Sequence, residues 1–233
     1  MKAVKTPEEI AIMKRAAKAA VKVFVRTLPY VRAGVTEREI ADKMEAFALG
    51  VRGVSSLAFP TIVASGPNGA QPHAEITGRR IQNGDFVTID FGVMLDGYAS
   101  DITRTCVIGE PTDEQRKIYM SVFRSQKAGI AAARAGIACS ALDSVCRDLI
   151  EKDGYEEYFI HTTGHGIGKE VHEDPRIGKN SEASLEAGMV VTIEPGIYIE
   201  GFGGVRIEDT VIITETGCEV ITPGISKKLA IVQ

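Results

Sequence analysis

FVTIDFGVML (residues 86–95), Asp96-Gly97 and YASDITRTCV (residues 98–107) read as two β-prone runs joined by a two-residue turn. Asp-Gly in that position signals a tight hairpin, because both turn residues must accept positive φ. With Asp96 and Gly97 as the loop, Asp90 faces Thr103 and Asp101 faces Gly92. Both aspartates then share one face as diagonal neighbours, with Cα atoms about 7–8 Å apart. Gly92 leaves the position opposite Asp101 without a side chain.

A second hairpin repeats the arrangement. MVVTIEP (residues 189–195) leads through the glycine-rich EGFGG (residues 200–204) into VRIEDT (residues 205–210). Glu194 and Glu208 are equidistant from Gly201, so an odd-length loop centred there sets them opposite each other. Arg206 lies two residues from Glu208 and shares its face, whereas Asp209 points to the other. Pro195 cannot donate to a ladder, so the strand must be irregular or at an edge just past Glu194.

Each half thus offers a carboxylate pair, and Asp90 and Glu194 are embedded among apolar residues. Buried like charges at close range repel, and they must protonate or acquire a cation. Two divalent ions balance four carboxylates. Gly164-His165-Gly166 supplies an imidazole, with flanking glycines that let the backbone crowd an ion. A mainly carboxylate set with one imidazole suits Mn, Co, Fe or Zn, with Mn or Co favoured, rather than a thiolate-bound structural zinc. Such a centre with open positions is hydrolytic. His172-Glu173-Asp174-Pro175 lacks the HExxH spacing of helical zinc proteases.

Working outward, capping boxes mark helix starts. Thr6-Pro7-Glu8-Glu9 opens a helix to about Leu28, Thr36-Glu37-Arg38-Glu39 one to about Leu49, and Thr112-Asp113-Glu114-Gln115 one to about Ala135. Ser140-Ala141-Leu142-Asp143 opens a fourth, ending at Gly154. Arg32-Ala33-Gly34-Val35 separates the first pair and Arg134-Ala135-Gly136-Ile137 the second, 102 residues on (32 to 134). Each pair precedes β-type sequence. This is an internal duplication of an α-α-β-β unit. It predicts one α+β domain over residues 1–233, with two halves about a pseudo-twofold axis and helices outside a curved antiparallel sheet.

Composition bounds the function. The formal net charge of −4 disfavours a nucleic-acid partner. No apolar run approaches the roughly 18 residues of a membrane span, and Met1-Lys2-Ala3-Val4-Lys5 does not begin a signal core. Four scattered cysteines, with no CxxC, read as reduced core thiols of a cytoplasmic protein. Three of the four histidines, His161, His165 and His172, fall within twelve residues, and His73 follows a Gly- and Pro-rich loop. Outside helices and among glycines, they mark a site.

Asp90, Asp101, His165, Glu194 and Glu208 stand in the order and context of the metal ligands of the pita-bread metallopeptidases, a family that includes methionine aminopeptidase, aminopeptidase P and prolidase. The strings TIDFG, GYASDITRT, HTTGHGIGKEVHEDP, TIEPGIY and GGVRIED are jointly specific, and the resemblance runs from KTPEEI to about Thr222. HEDP, Arg206 in VRIED, and VASGPNGAQPH before His73 resemble the Xaa-Pro branch. Lys169 departs from the apolar residue expected there.

The resemblance implies a pita-bread fold and a dinuclear exopeptidase hydrolysing the N-terminal Xaa-Pro bond. It implies that Asp90 and Asp101 bind one metal, with Asp101 bridging, while His165 and Glu194 hold the second and Glu208 bridges. Glu194 would also serve as acid/base, with His73, His161, His172 and Arg206 binding substrate or stabilising the reacting peptide. The implied partner is a peptide with proline at its second position, and a homodimer is possible. The resemblance also leads to the expectation of a single catalytic domain over residues 1–233, without the family's usual N-terminal domain. The alternatives are a methionine aminopeptidase, against which Arg206 argues, and a non-catalytic peptide-binding relative.

Overall fold

The computed structural model describes residues 3–232, so Met1 and Lys2 of the opening segment lie outside it. The first half runs α1 (Pro7–Thr27), α2 (Glu37–Leu49), β1 (Val54–Leu57), β2 (Ile62–Ser65), β3 (Phe86–Phe91), β4 (Val93–Leu95), β5 (Tyr98–Ala99) and β6 (Ile102–Ile108). The second runs α3 (Asp113–Ala132), α4 (Cys139–Lys152), β7 (Gly164–Gly166), β8 (Glu173–Ile177), β9 (Val190–Ile193), β10 (Gly196–Ile199), β11 (Gly203–Arg206), β12 (Asp209–Ile213) and β13 (Cys218–Val220). A last strand, β14 (Ala230–Val232), returns to the first half and pairs parallel with β6. It is the exception to the expected antiparallel order.

Capping boxes at Thr6/Glu9, Thr36/Glu39 and Thr112/Gln115 start three of the four helices. The fourth differs from expectation: α4 begins at Cys139 after Ala138, with no side-chain cap, and Ser140 is already helical. α3 also stops at Ala132 rather than Ala135. There the chain turns outward to pair, Ala135 N–H donating to Thr214 O at 3.0 Å and Gly136 N–H to Leu185 O at 2.8 Å.

Those bonds also display the duplication. Gly34 and Gly136 take φ of +86° and +81°. Gly34 N–H donates to Ile81 O (2.8 Å) and Ile81 N–H to Val35 O (2.9 Å). In the second half Leu185 N–H returns the bond to Ile137 O at 2.9 Å. Two main cores lie one largely in each half, and a third, with Met13, Ala17 and Tyr98 against Ile167, Val190 and Ile212, joins the halves. In the first-half core, Phe24, Ile40 and Met44 pack on Val87, Ile89 and Ile102; in the second-half core, Ile118, Val122 and Leu142 pack on Val191, Ile193 and Val211. No helix among the described residues is long and apolar enough to cross a membrane.

Both hairpins adopt the register read from the sequence. Asp90 pairs with Thr103 and Leu95 with Tyr98, around Asp96 and Gly97 at φ of +49° and +82°. Gly196 pairs with Arg206 and Ile193 with Asp209, so the register persists across the Glu194-Pro195 interruption. The first strand breaks at Gly92, where a Cβ would run into Ser100 O and lie 2.7 Å from the Phe59 ring. The cysteines are unpaired: Cys106, Cys139 and Cys146 are buried and Cys218 is half-buried.

Candidate active site

The two hairpins meet face to face. Carboxylate oxygens of Asp90, Asp101 and Glu208 lie within 4.8 Å of one another, and Asp101 and Glu208 are buried. Only part of each carboxylate is satisfied. Asp90 Oδ2 accepts from Arg206 Nη2 at 2.7 Å, and Glu208 Oε2 from Thr103 Oγ1 at 2.6 Å. Asp90 Oδ1, Asp101 Oδ1 and Glu208 Oε1 are buried without a protein partner. Buried polar atoms are nearly always paired, and three unpaired carboxyl oxygens in one cluster fit a hard divalent cation.

His165 and Glu194 flank this trio. His165 Nε2 stands 3.1 Å from Glu194 Oε1 and 3.8 Å from Asp101 Oδ2. Its Nδ1–H donates to Gly166 O at 3.0 Å, the backing bond typical of a metal-ligating imidazole. Thr192 Oγ1 donates to Glu194 Oε1 at 2.8 Å. Asp90, Asp101 and Glu208 therefore form one converging donor set, and His165 and Glu194 adjoin it.

The electrostatics reflect crowding. Burial, then the charges of Glu208, Asp90 and Glu194, push Asp101 well above the usual carboxylate range. Burial, then Glu194 and Asp90, do the same to Glu208. For Glu194 burial also pushes upward, but the hydrogen bond and charge of His165, with His161 and Arg206, prevail and bring it down to about 2. One carboxylate thus stays ionised beside two that resist ionisation, the separation expected of a catalytic cluster.

The cavity over this cluster holds about 780 Å³. Asp90, Asp101, His165, Glu194, Arg206, His73, His161 and His172 all line it, whereas Glu208 lies behind the lining. The His172 ring packs 4.4 Å from that of His165. His161 differs from a free substrate-binding imidazole. Burial lowers its pKa to about 4, so it is neutral at pH 7. Its Nδ1–H donates to Thr162 O (2.7 Å), which leaves Nε2 to accept the Tyr198 O–H (2.9 Å). Tyr198 in turn accepts from Arg206 Nη1 at 2.7 Å. Asp90, Arg206, Tyr198 and His161 thus form one polarised chain.

Tyr198 was indistinguishable from core packing in the sequence, and its strand alternation carried no signal of this bond. Phe202 instead packs edge-on against Phe86, with ring centroids 6.2 Å apart. Asp209 faces away, as its strand position requires, and binds Arg104 and Lys227 at 2.8 Å each. Lys169 is exposed near the Tyr98 ring, away from the cluster.

The glycines around His165 also let neighbouring strands approach closely. A Cβ at Gly164 would run into Thr192 O, and one at Gly166 into Asp174 O. They bring β7 against β9 and the HEDP strand, and so set the position of His165. Gly164→Ala is expected to destabilise the protein by about 2–3 kcal/mol and to weaken Mn²⁺ binding. Gly217→Ala, where no atom lies within 4 Å of the added methyl, is the control. Melting curves and calorimetric Mn²⁺ titration check this, and equal behaviour of the two variants would refute it.

Comparison with known proteins agrees with this geometry. The chain is 46% identical over 222 residues to the Xaa-Pro dipeptidase of Pyrococcus furiosus, covering 95% of this chain and 64% of that protein's length. The solved Xaa-Pro dipeptidase from Bacillus anthracis superposes with a TM-score of 0.96 at 47% identity, over 98% of this chain and 64% of the other. The X-Pro aminopeptidase from Thermotoga maritima gives a TM-score of 0.95 at 41% identity, covering 100% and 65%. The chain therefore spans less than two-thirds of the length of these relatives, 64–65%, and its fold is the pita-bread fold. Residues 11–215 match metallopeptidase family M24, and the chain belongs to that family.

Proposed function

We propose that the protein is a dinuclear-metal exopeptidase that hydrolyses the Xaa-Pro bond of peptides with proline at the second position. The observation that carries this reading is the trio of unpaired buried oxygens on Asp90, Asp101 and Glu208, at the base of a cavity shared with His165 and Glu194. We take Asp90, Asp101, His165, Glu194 and Glu208 as the metal ligands, with Mn or Co favoured, and residues 1–233 as one catalytic unit. Divalent ions, when bound, supply polarisation of the scissile carbonyl and activation of water near neutral pH. The chain does the rest. Glu194, ionised at neutral pH, takes the proton of the attacking water and returns it to the leaving nitrogen. Arg206 and Tyr198 hold Asp90 and His161 in place, and His73 and His172 face the substrate. Phe59, Ile62 and Val171 offer an apolar wall to a pyrrolidine ring. A peptide bond to proline lacks an N–H, so recognition must come from that wall and from the free amino end. Unpaired thiols fit the cytoplasm.

The test is hydrolysis of Ala-Pro, Ala-Pro-Ala and Met-Ala-Ser by metal-stripped protein, with and without Mn²⁺ or Co²⁺. Metal-dependent release before proline is expected, and Glu194→Gln should lower it about a hundredfold or more. Cleavage of Met-Ala-Ser alone would overturn the Xaa-Pro reading in favour of a methionine aminopeptidase.

A further inference from the structure

In each half, the second helix carries a buried carboxylate whose bonds leave the helix altogether or reach beyond it. Glu37, the first residue of α2, is fully buried. Its Oε1 accepts from Ser65 N and Ser65 Oγ, each at 2.7 Å. Its Oε2 accepts from Asn68 Nδ2 (2.9 Å), Thr77 N (3.0 Å) and Thr77 Oγ1 (2.6 Å). These donors bracket the segment bearing His73, and Asn68 Nδ2 also donates to Glu75 O at 3.0 Å. Pro72 O in the same segment accepts from Arg206 Nη1 at 3.2 Å.

Asp143, in the opening turns of α4, is likewise fully buried. Its Oδ1 accepts from Thr163 N (3.1 Å) and Thr163 Oγ1 (2.8 Å). It also pairs with Arg147, Nε to Oδ2 at 2.8 Å. Arg147 then donates to Phe159 O and His161 O, each at 2.8 Å. These bonds bracket His161. A solvated helix-face carboxylate needs no such partners. One that is fully buried with several donors fixes backbone position, because leaving any donor unpaired is costly.

We propose that Glu37 and Asp143 are positioning residues, each fixing one histidine-bearing wall of the active-site cavity: Glu37 that of His73, and Asp143 that of His161. Neither lines the cavity, so their effect on catalysis passes through the histidines. The kinetic part of this inference rests on the peptidase reading above.

The test is a pair of double-mutant cycles. Glu37→Gln keeps the shape but turns an N–H₂ towards donors on one side. It is expected to lower kcat/KM about tenfold, the scale of a small misplacement in an active site. In a His73→Ala background the further loss should be no more than about twofold, and in His161→Ala the full loss should persist. Asp143→Asn should show the mirror pattern. Losses of equal size in both backgrounds, or no loss, would overturn the proposal and leave the carboxylates as fold-stabilising only. A second readout needs no substrate. With only four histidines in the chain, ¹⁵N imidazole spectra of the metal-free protein separate the rings. Glu37→Gln should move the His73 signals and spare those of His161, and Asp143→Asn the reverse; unmoved rings would overturn the inference even if Xaa-Pro peptides proved not to be substrates. If Asp143→Asn does not fold, Thr163→Val and Thr77→Val each remove one hydroxyl bond of a clamp and carry the same expectations.

Discussion

Glu208→Gln should abolish two-metal binding and turnover while raising the melting temperature of the metal-free protein. Asp101 and Glu208 are both pushed upward, first by burial and then by neighbouring carboxylates. A carboxyl whose pKa rises on folding stabilises the fold fully only below its unfolded value of about 4, and this contribution is lost as pH rises through the folded value. At pH 8 the metal-free wild type therefore bears the cost of a buried carboxyl that resists ionisation, a cost the amide variant lacks. The amide also brings donors to a cluster with three unpaired oxygens. The gain should be on the order of 2 kcal/mol, or about 4–8 °C for a chain of this size. It should shrink to nothing as pH falls towards 4, where Glu208 is protonated in the folded state and largely so in the unfolded one. Excess Mn²⁺ should reverse the ranking, since ligand binding stabilises only the wild type. Melting curves at pH 4–8 with and without Mn²⁺ check this. An unchanged or lower melting point at pH 8, or retention of two ions, would sink it.

Arg206→Ala should be the most damaging single change to the fold. Arg206 is almost fully buried and donates to Asp90, Tyr198, Pro72 and Thr103 at 2.7–3.2 Å. Its removal leaves half-buried Asp90 without its cationic partner beside Asp101 and Glu208. Breaking one side of such a pair destabilises by about 3–5 kcal/mol, some 6–20 °C here. Tyr198 and His161 also lose their anchor, so turnover should fall with stability. Arg206→Lys should rescue little, because a single ammonium cannot serve acceptors spread over four residues. Mn²⁺ should restore part of the lost stability by supplying positive charge to Asp90. A loss below about 1 kcal/mol in urea unfolding would show that Asp90 is neutralised some other way.

The parts of the site legible in the sequence are those set by local rules. Asp96-Gly97 fixed a register, and register alone placed Asp90 beside Asp101. Gly201 did the same for Glu194 and Glu208, and the repeated Arg-Ala-Gly tripeptide exposed the pseudo-symmetry. Residues whose meaning comes from distant partners were not legible. Glu37 looked like one member of a capping run, yet its donors lie 28 to 40 positions away. Tyr198 looked like alternating strand packing, and only the buried Arg206 gives its hydroxyl a role. The parallel β14 had no local signature either. Helix ends erred where tertiary pairing prevailed over propensity, at Ala132 and again at Ala138.

The way the halves meet has a mechanical consequence. Each half brings two of the carboxylates to the common face, beside a small core that both halves share. Without ions, that face is held by the Arg206–Asp90 and Thr103–Glu208 bonds, while Asp101 and Glu208 stay there only at the cost of resisting ionisation. Divalent ions held there would act as rivets across it. Opening of that face, rather than unravelling of either half, would then be the motion that chelators release, and amide exchange near Thr103 and Thr192 would report how tightly the two halves are fastened.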